Sequence, residues 1–82
     1  MECFVYRSTR RPETYLFVPR ANDFEDVPDE LLEHLGRLEF ALDFQLGPER
    51  SLAQADPRTV IAHLEKDGFY LQLPDRWWER GA

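Results

Sequence analysis

The side chains that could support nucleophilic chemistry in this sequence are a single cysteine, Cys3, and two histidines, His34 and His63. A thiolate nucleophile needs a base such as histidine within hydrogen-bond reach. Cys3 lies in an apolar segment that predicts a strand, whereas both histidines lie in segments that predict helices. Because free cysteine is among the most buried residue types, we interpret Cys3 as a packing residue. Neither Ser8 nor Ser51 lies in the strand–turn–helix elbow of a catalytic serine, so we predict no enzymatic nucleophile.

Metal and cofactor sites are not predicted either. One cysteine and two histidines that lie 29 positions apart match no known zinc spacing. The acidic stretch 23–33 fails as a calcium loop, because a twelve-residue loop that starts at Asn22 places Val27 where glycine is required. We interpret its acids as solvent-facing residues favoured near a helix N-terminus. The four glycines stand alone along the chain, so no phosphate-binding loop is present in the pattern.

Three arginines, Arg7, Arg10 and Arg11, cluster around a predicted hairpin tip and form the first candidate interaction surface. Aromatic residues of the same strands, Tyr6 and Tyr15 among them, lie close in sequence. Basic groups beside aromatic strands are typical of surfaces that bind single-stranded nucleic acid, where bases stack and phosphates pair. The alternative is a solvated hairpin tip whose neighbouring aromatics belong to the core.

Two adjacent tryptophans, Trp77 and Trp78, form the second candidate surface, in a tail that we place at residues 75–82 after a domain of residues 1–74. Neighbouring side chains of an extended segment point to opposite sides, so one ring would pack on the domain while the other stays exposed. Exposed tryptophan is enriched at protein interfaces. The alternative is a tail held onto the core by both rings.

Composition and charge limit the function classes. The 82 residues are 43% hydrophobic and 13% aromatic, which is enough for one folded domain. A lone cysteine excludes an internal disulfide and indicates a reducing, cytoplasmic location, and no apolar run predicts a membrane span. The net charge of −6 argues against non-specific nucleic-acid binding. That charge is uneven, since residues 1–20 carry +2 and residues 21–48 carry −7.

Hydrophobic periodicity predicts a single α/β (α+β) domain of order ββαβαβ. Residues 2–8 and 13–18 predict a hairpin that is apolar on both faces and therefore needs cover on both faces. A short helix with the buried stripe Leu31, Leu32 and Leu35 follows, and a second helix after Asp56-Pro57 buries Val60, Ile61 and Leu64. Residues 69–73 predict the fourth strand.

The third strand, residues 38–46, has the clearest alternation in the chain. Its apolar positions occur at every second residue, which predicts one apolar and one solvated face. These positions are Leu38, Phe40, Leu42, Phe44 and Leu46. Right-handed crossovers through each helix would make the second, third and fourth strands parallel. Short helices also allow other directions, so the sheet is expected to be mixed or mainly antiparallel, with its strand order open.

Four segments carry a family resemblance. They are Met-Glu-Cys-Phe-Val-Tyr-Arg-Ser at 1–8, Tyr-Leu-Phe-Val-Pro at 15–19, Val27-Pro28 before a helix that ends in Leu35-Gly36, and Gly-Phe-Tyr-Leu-Gln-Leu-Pro at 68–74. In order and spacing, these segments resemble the YcgL domain family of small bacterial proteins over roughly residues 1–74. The resemblance implies a four-stranded fold with flanking helices and supplies no catalytic residue. Through gene neighbourhood with ribonuclease D, it also implies a link to RNA metabolism. The tail after Pro74 departs most from the family pattern.

These observations favour a non-enzymatic module that binds another protein, without cofactor, metal or membrane. An accessory RNA-binding protein that acts through the arginine hairpin is the second hypothesis. An enzyme of unknown class is the third.

Overall fold

The computed structural model describes residues 1–47 and 56–73. Six elements follow one another in the predicted order ββαβαβ. They are β1 (Glu2–Ser8), β2 (Tyr15–Val18), α1 (Asp29–Leu35), β3 (Leu38–Gln45), α2 (Pro57–Lys66) and β4 (Tyr70–Gln72). The α+β class and the four-stranded sheet with two helices are therefore confirmed.

The strands form one sheet in the order β3-β1-β2-β4, in which every neighbouring pair is antiparallel. The expected mainly antiparallel sheet is therefore confirmed. β2 and β3 run in the same direction, as right-handed crossovers would require, but β4 runs opposite to both. The right-handed crossover rule applies to parallel strands of one sheet. Since β3 and β4 lie at opposite edges, the connection through α2 crosses the sheet instead of returning to a parallel neighbour.

Apolar side chains cover both faces of the sheet, as the two-sided hairpin predicts. The two faces build separate cores, one under each helix. On the α2 side the buried residues are Cys3, Val5, Phe17, Leu46, Val60 and Leu64. On the α1 side they are Tyr6, Leu16, Val18, Val27 and Leu35. The molecule is therefore a helix–sheet–helix arrangement, in which burial of apolar area supplies most of the stabilising free energy.

The two helices begin differently. In α2 the side chain of Asp56 accepts a hydrogen bond from the backbone N–H of Arg58 at 2.9 Å, and Pro57 occupies the first helical position. This is the cap that Asp56-Pro57 predicts. In α1 no side chain caps the N-terminus, and Gly36 ends the helix with φ 72° and ψ −153°. The positive φ explains why the predicted stop at this position is a glycine.

A β-bulge in β3 overturns the prediction that its apolar residues share one face. Val5 pairs with Leu42 and Tyr6 pairs with Phe40, so Ala41 is the extra residue on β3. Because side chains alternate between faces, the extra residue reverses the pattern. The apolar residues before the bulge, Leu38 and Phe40, therefore lie on the α1 face, and those after it, Leu42 and Phe44, lie on the α2 face.

Candidate functional site

Arg7 of the arginine hairpin is held by a carboxylate of the neighbouring strand. Its guanidinium Nη2 lies 2.6 Å from Oε1 of Glu39, and Nη2 of Arg37 lies 3.4 Å from Oε2 of the same side chain. Hydrogen bonding and the positive charge of Arg7 hold the pKa of Glu39 below its ordinary value. The positive charge of Arg7 is thus already paired with the carboxylate of Glu39.

Arg10 and Arg11 contact the C-terminal turn of α1. Nη1 of Arg10 donates to the backbone carbonyl of Glu33 at 3.2 Å, and Nη2 of Arg11 lies 3.4 Å from Nδ1 of His34. The last carbonyls of a helix lack partners inside the helix and carry partial negative charge, which favours cations there. The two arginines therefore stabilise a helix end.

Backbone and hydroxyl hydrogen bonds fix the hairpin tip in this position. Ser8, buried at 5% exposure, donates its hydroxyl to the carbonyl of Leu35 at 2.6 Å and accepts from the N–H of Arg11 at 2.9 Å. Thr9 donates from its backbone and from its hydroxyl to the carbonyl of Arg37, at 3.2 and 2.7 Å. The predicted arginine surface thus borders a set of hydrogen bonds that help to hold the end of α1 against the sheet.

The aromatic neighbours of the arginines do not form a stacking platform. Tyr6 is 3% exposed, and Phe17 is buried in the α2-side core. Tyr15 is half-buried and packs against that core. The alternative reading of these aromatics as core residues is the one that fits the structure.

The predicted tryptophan surface, Trp77 and Trp78, lies outside the described residues, as does the tail 75–82. Its interpretation therefore remains a prediction.

The candidate nucleophile is buried and far less acidic than a free thiol. Cys3 is 0% exposed, and burial raises its pKa from 9.0 to about 11. The two histidines have other partners, since His34 contacts Arg11 and Nδ1 of His63 lies 2.9 Å from Oδ2 of Asp67. A protonated, inaccessible thiol is a poor nucleophile, in agreement with the interpretation of Cys3 as a packing residue.

The raised pKa makes the stability depend on pH in a defined window. Between pH 9 and about 11 the unfolded chain releases the Cys3 proton while the folded chain keeps it. The free energy of unfolding should therefore decrease as the pH rises through this window, and the thiol should have no such effect below it. We expect the stability difference between the wild type and Cys3→Ala to shrink from pH 9 to 11 in denaturant titrations. Parallel stability curves for the two proteins would contradict the prediction.

A polar cleft of about 250 Å³ lies between the segment after β2 and the end of α2. Its lining includes Arg20, Asp23, Asp26, Lys66 and Asp67. Arg20 pairs with Asp23 at 3.2 Å, and Asp67 pairs with His63.

Within residues 1–47 and 56–73, no group of three or more His, Cys, Asp or Glu side chains is arranged to hold a metal ion. In that same part of the chain, no helix has the length and apolar character needed to cross a membrane.

The feature that sequence reasoning missed is the exposed edge strand β3. The exposed fraction is 58% for Phe40 and 45% for Leu42, although both belong to the strand with the clearest apolar alternation. The ring of Phe40 contacts Tyr6 edge-on, with centroids 5.7 Å apart, and Leu42 stands opposite Val5. Alternation shows that a strand has an apolar side, but it does not show whether anything covers that side.

Comparisons with known proteins place the chain in a family. The model of the YcgL domain matches residues 3–75. A YcgL domain-containing protein of Thioalkalivibrio sulfidiphilus is 49% identical over 74 residues, which are 90% of this chain and 91% of that protein. A YcgL domain-containing protein of Stenotrophomonas maltophilia is also 49% identical over 74 residues, with 90% of this chain and 86% of the relative covered.

A third relative has a different organisation. It is a protein of Nitrosococcus oceani named "Putative HAD-like hydrolase", 47% identical over 78 residues. The match covers 95% of this chain but 21% of that protein, so a domain like this one is joined there to a much longer sequence. Together with the family model and the four-stranded fold, these similarities establish that the chain belongs to the YcgL domain family.

Proposed function

We propose that this domain is a non-enzymatic interaction module and that its partner is a hydrolase of the HAD-like type. The observation that carries the proposal is the Nitrosococcus oceani relative, in which a domain 47% identical to this chain forms 21% of a protein named as a hydrolase. Covalent linkage keeps two domains at a high effective concentration without a strong interface. A separate chain of the same family would need a binding surface to reach the same partner.

The chemistry of the described residues supports a role in binding. Cys3 is buried with a raised pKa, and the three candidate arginines contact Glu39 and the C-terminal turn of α1. Two large apolar side chains, Phe40 and Leu42, are exposed on one edge strand. Apolar side chains on an exposed edge strand are available to an extended segment of another protein that pairs with that edge.

RNA binding through Arg7, Arg10 and Arg11 is the alternative, and it remains a prediction. These arginines already contact protein groups, so RNA phosphates would have to compete with Glu39 and the carbonyls of α1. We expect fluorescence anisotropy at low salt to detect no binding of short single-stranded RNA up to about 10⁻⁴ M protein. Binding that weakens steeply as salt is added would instead support the alternative.

The proposed function is tested by identifying the protein that the chain binds in its own cells. The full chain carries an affinity tag and is cross-linked before lysis, and the recovered proteins are identified by mass spectrometry. We expect a hydrolase of the HAD-like type, and we expect the purified hydrolase to bind the purified chain in calorimetry. Recovery of other proteins without such a hydrolase, or no binding between the purified pair, would contradict the proposal.

A further inference from the structure

The edge strand β3 has the geometry of a site for strand addition. It is eight residues long, whereas β4, at the other edge, has three residues. Its inner side is hydrogen-bonded to β1 over Leu38–Gln45, and no strand of residues 1–47 or 56–73 pairs with its outer side. An edge strand presents unpaired N–H and C=O groups that template pairing with another chain.

The two exposed side chains of β3 lie on opposite faces of the sheet. Phe40 lies before the bulge and contacts Tyr6 on the α1 face, whereas Leu42 lies after it, opposite Val5 on the α2 face. A helix that docked on either face would cover one of these side chains. A strand added in the plane of the sheet places alternate side chains over both faces and covers both.

The charges at the C-terminal end of β3 favour a basic occupant. Asp43 and Glu2 lie on the same face, because Asp43 stands opposite Phe4, and Phe4 and Glu2 are two positions apart on β1. Neither carboxylate has an ion-pair partner within the described part of the chain. A segment with lysine or arginine beside its apolar residues would be attracted to this corner.

The faces of β3 and the net charge oppose pairing with a second copy of the chain. Because Phe40 and Leu42 lie on opposite faces of the sheet, they cannot stand opposite one another across an antiparallel pair of β3 strands. The chain as a whole carries −6, so two copies also repel one another.

We propose that β3 binds an extended basic segment of a partner protein by strand addition, with apolar side chains of that segment over Phe40 and Leu42. The identity of the partner as a hydrolase rests on the proposed function, but the binding mode does not. The bulge at Ala41 and the flanking charges interrupt the edge, and such features protect edge strands from indiscriminate pairing. They make β3 selective for a short segment of matching charge.

A synthetic peptide tests the binding mode without the hydrolase. The probe is the capped heptapeptide Lys-Thr-Val-Phe-Val-Thr-Lys, which has apolar side chains on both faces of a strand. Amide chemical shifts of the full chain are followed by NMR as the peptide is added. We expect shifts concentrated in residues 38–45, and we expect the affinity to decrease as salt screens the charges.

Matched peptides and variants separate strand addition from other contacts. Replacing both lysines of the probe with glutamate should weaken binding about 10-fold, and N-methylation of its central residues should abolish it because backbone donors are lost.

Phe40→Ser and Leu42→Ser should each weaken binding about 5-fold, the order expected for loss of one cross-strand pair. Leu73→Ser is the control, since Leu73 is also exposed, at 41%, but lies after β4.

The results distinguish this inference from the proposed function. Shifts concentrated away from β3 and its neighbour β1, equal binding of the acidic peptide, or no shift at millimolar peptide would overturn strand addition on β3. Binding of the peptide on β3 together with failure to recover a hydrolase would uphold the binding mode and contradict the proposed partner. Because Phe40 and Leu42 are exposed, their serine variants should keep the dispersed amide spectrum of the folded chain.

Discussion

Replacing Leu64 with alanine is expected to lower the free energy of unfolding by about 2–5 kcal/mol. Leu64 is 4% exposed and packs in the α2-side core with Val60, Cys3 and Phe17. The truncation removes buried methyl groups and leaves a cavity between α2 and the sheet. A domain of this length has a total stability of about 4–12 kcal/mol, so the loss should be a large part of it.

Urea denaturation of the wild type and of Leu64→Ala measures this loss, provided that the slope against denaturant is the same for both. Leu73→Ala is the matched control, because the Leu73 side chain is 41% exposed and its truncation should change stability by no more than about 0.5 kcal/mol. A loss below about 1 kcal/mol for Leu64→Ala would mean that α2 does not pack on the sheet through this side chain.

Replacing Gly36 with alanine is expected to destabilise the fold by about 1–3 kcal/mol from backbone strain alone. Gly36 has φ 72° and ψ −153°, a region that side chains with a Cβ rarely occupy. An added Cβ would also lie 2.5 Å from Cγ of Arg10 and 3.1 Å from Oγ1 of Thr9. We therefore expect the substitution to displace the side chain of Arg10 from the end of α1.

Gly47→Ala is the control for this substitution, because a Cβ built on Gly47 has no atom within 4 Å and its φ is not positive. Thermal or chemical unfolding of the two variants gives the comparison. We expect the Gly47→Ala protein to unfold close to the wild type and the Gly36→Ala protein to unfold well before it. Equal stability of the two variants would contradict the role assigned to the end of α1.

Local patterns in the sequence predict most of this fold. Asp56-Pro57 marks the start of α2, Gly36 marks the end of α1, and the apolar faces of residues 2–8 and 13–18 require cover on both sides of the sheet. Each of these signals acts within a few residues. Short-range signals can be recognised in a single sequence because they depend only on local backbone conformation and side-chain direction.

Long-range features could not be predicted in the same way. The bulge at Ala41 leaves the alternation of residues 38–46 intact in the sequence while it changes the face of every residue on one side of it. Strand order depends on how the connection through α2 crosses the sheet, and no residue pattern encodes that. These two features together expose Phe40 and Leu42, so the edge strand emerged only from the structure.

The arginine hairpin shows that a binding site also depends on long-range contacts that the sequence does not predict. Arg7, Arg10 and Arg11 cluster in the sequence, but their partners Glu39, Glu33 and His34 lie more than twenty positions away. A basic cluster is available to a ligand only when the protein does not already use its charges. That condition depends on tertiary contacts, and the spacing of the arginines in the sequence does not predict those contacts.

The most direct test of the central claim measures the affinity of the purified full chain for the HAD-like hydrolase that we propose as its partner. Calorimetry compares the wild type with the Phe40→Ser, Leu42→Ser double variant. We expect the double variant to bind at least about 10-fold more weakly, since two cross-strand pairs are lost. We also expect binding to slow hydrogen exchange of the wild-type amides within Leu38–Gln45. Equal affinity of the two proteins, with slowed exchange only outside β3, would contradict the claim that the domain acts through its edge strand.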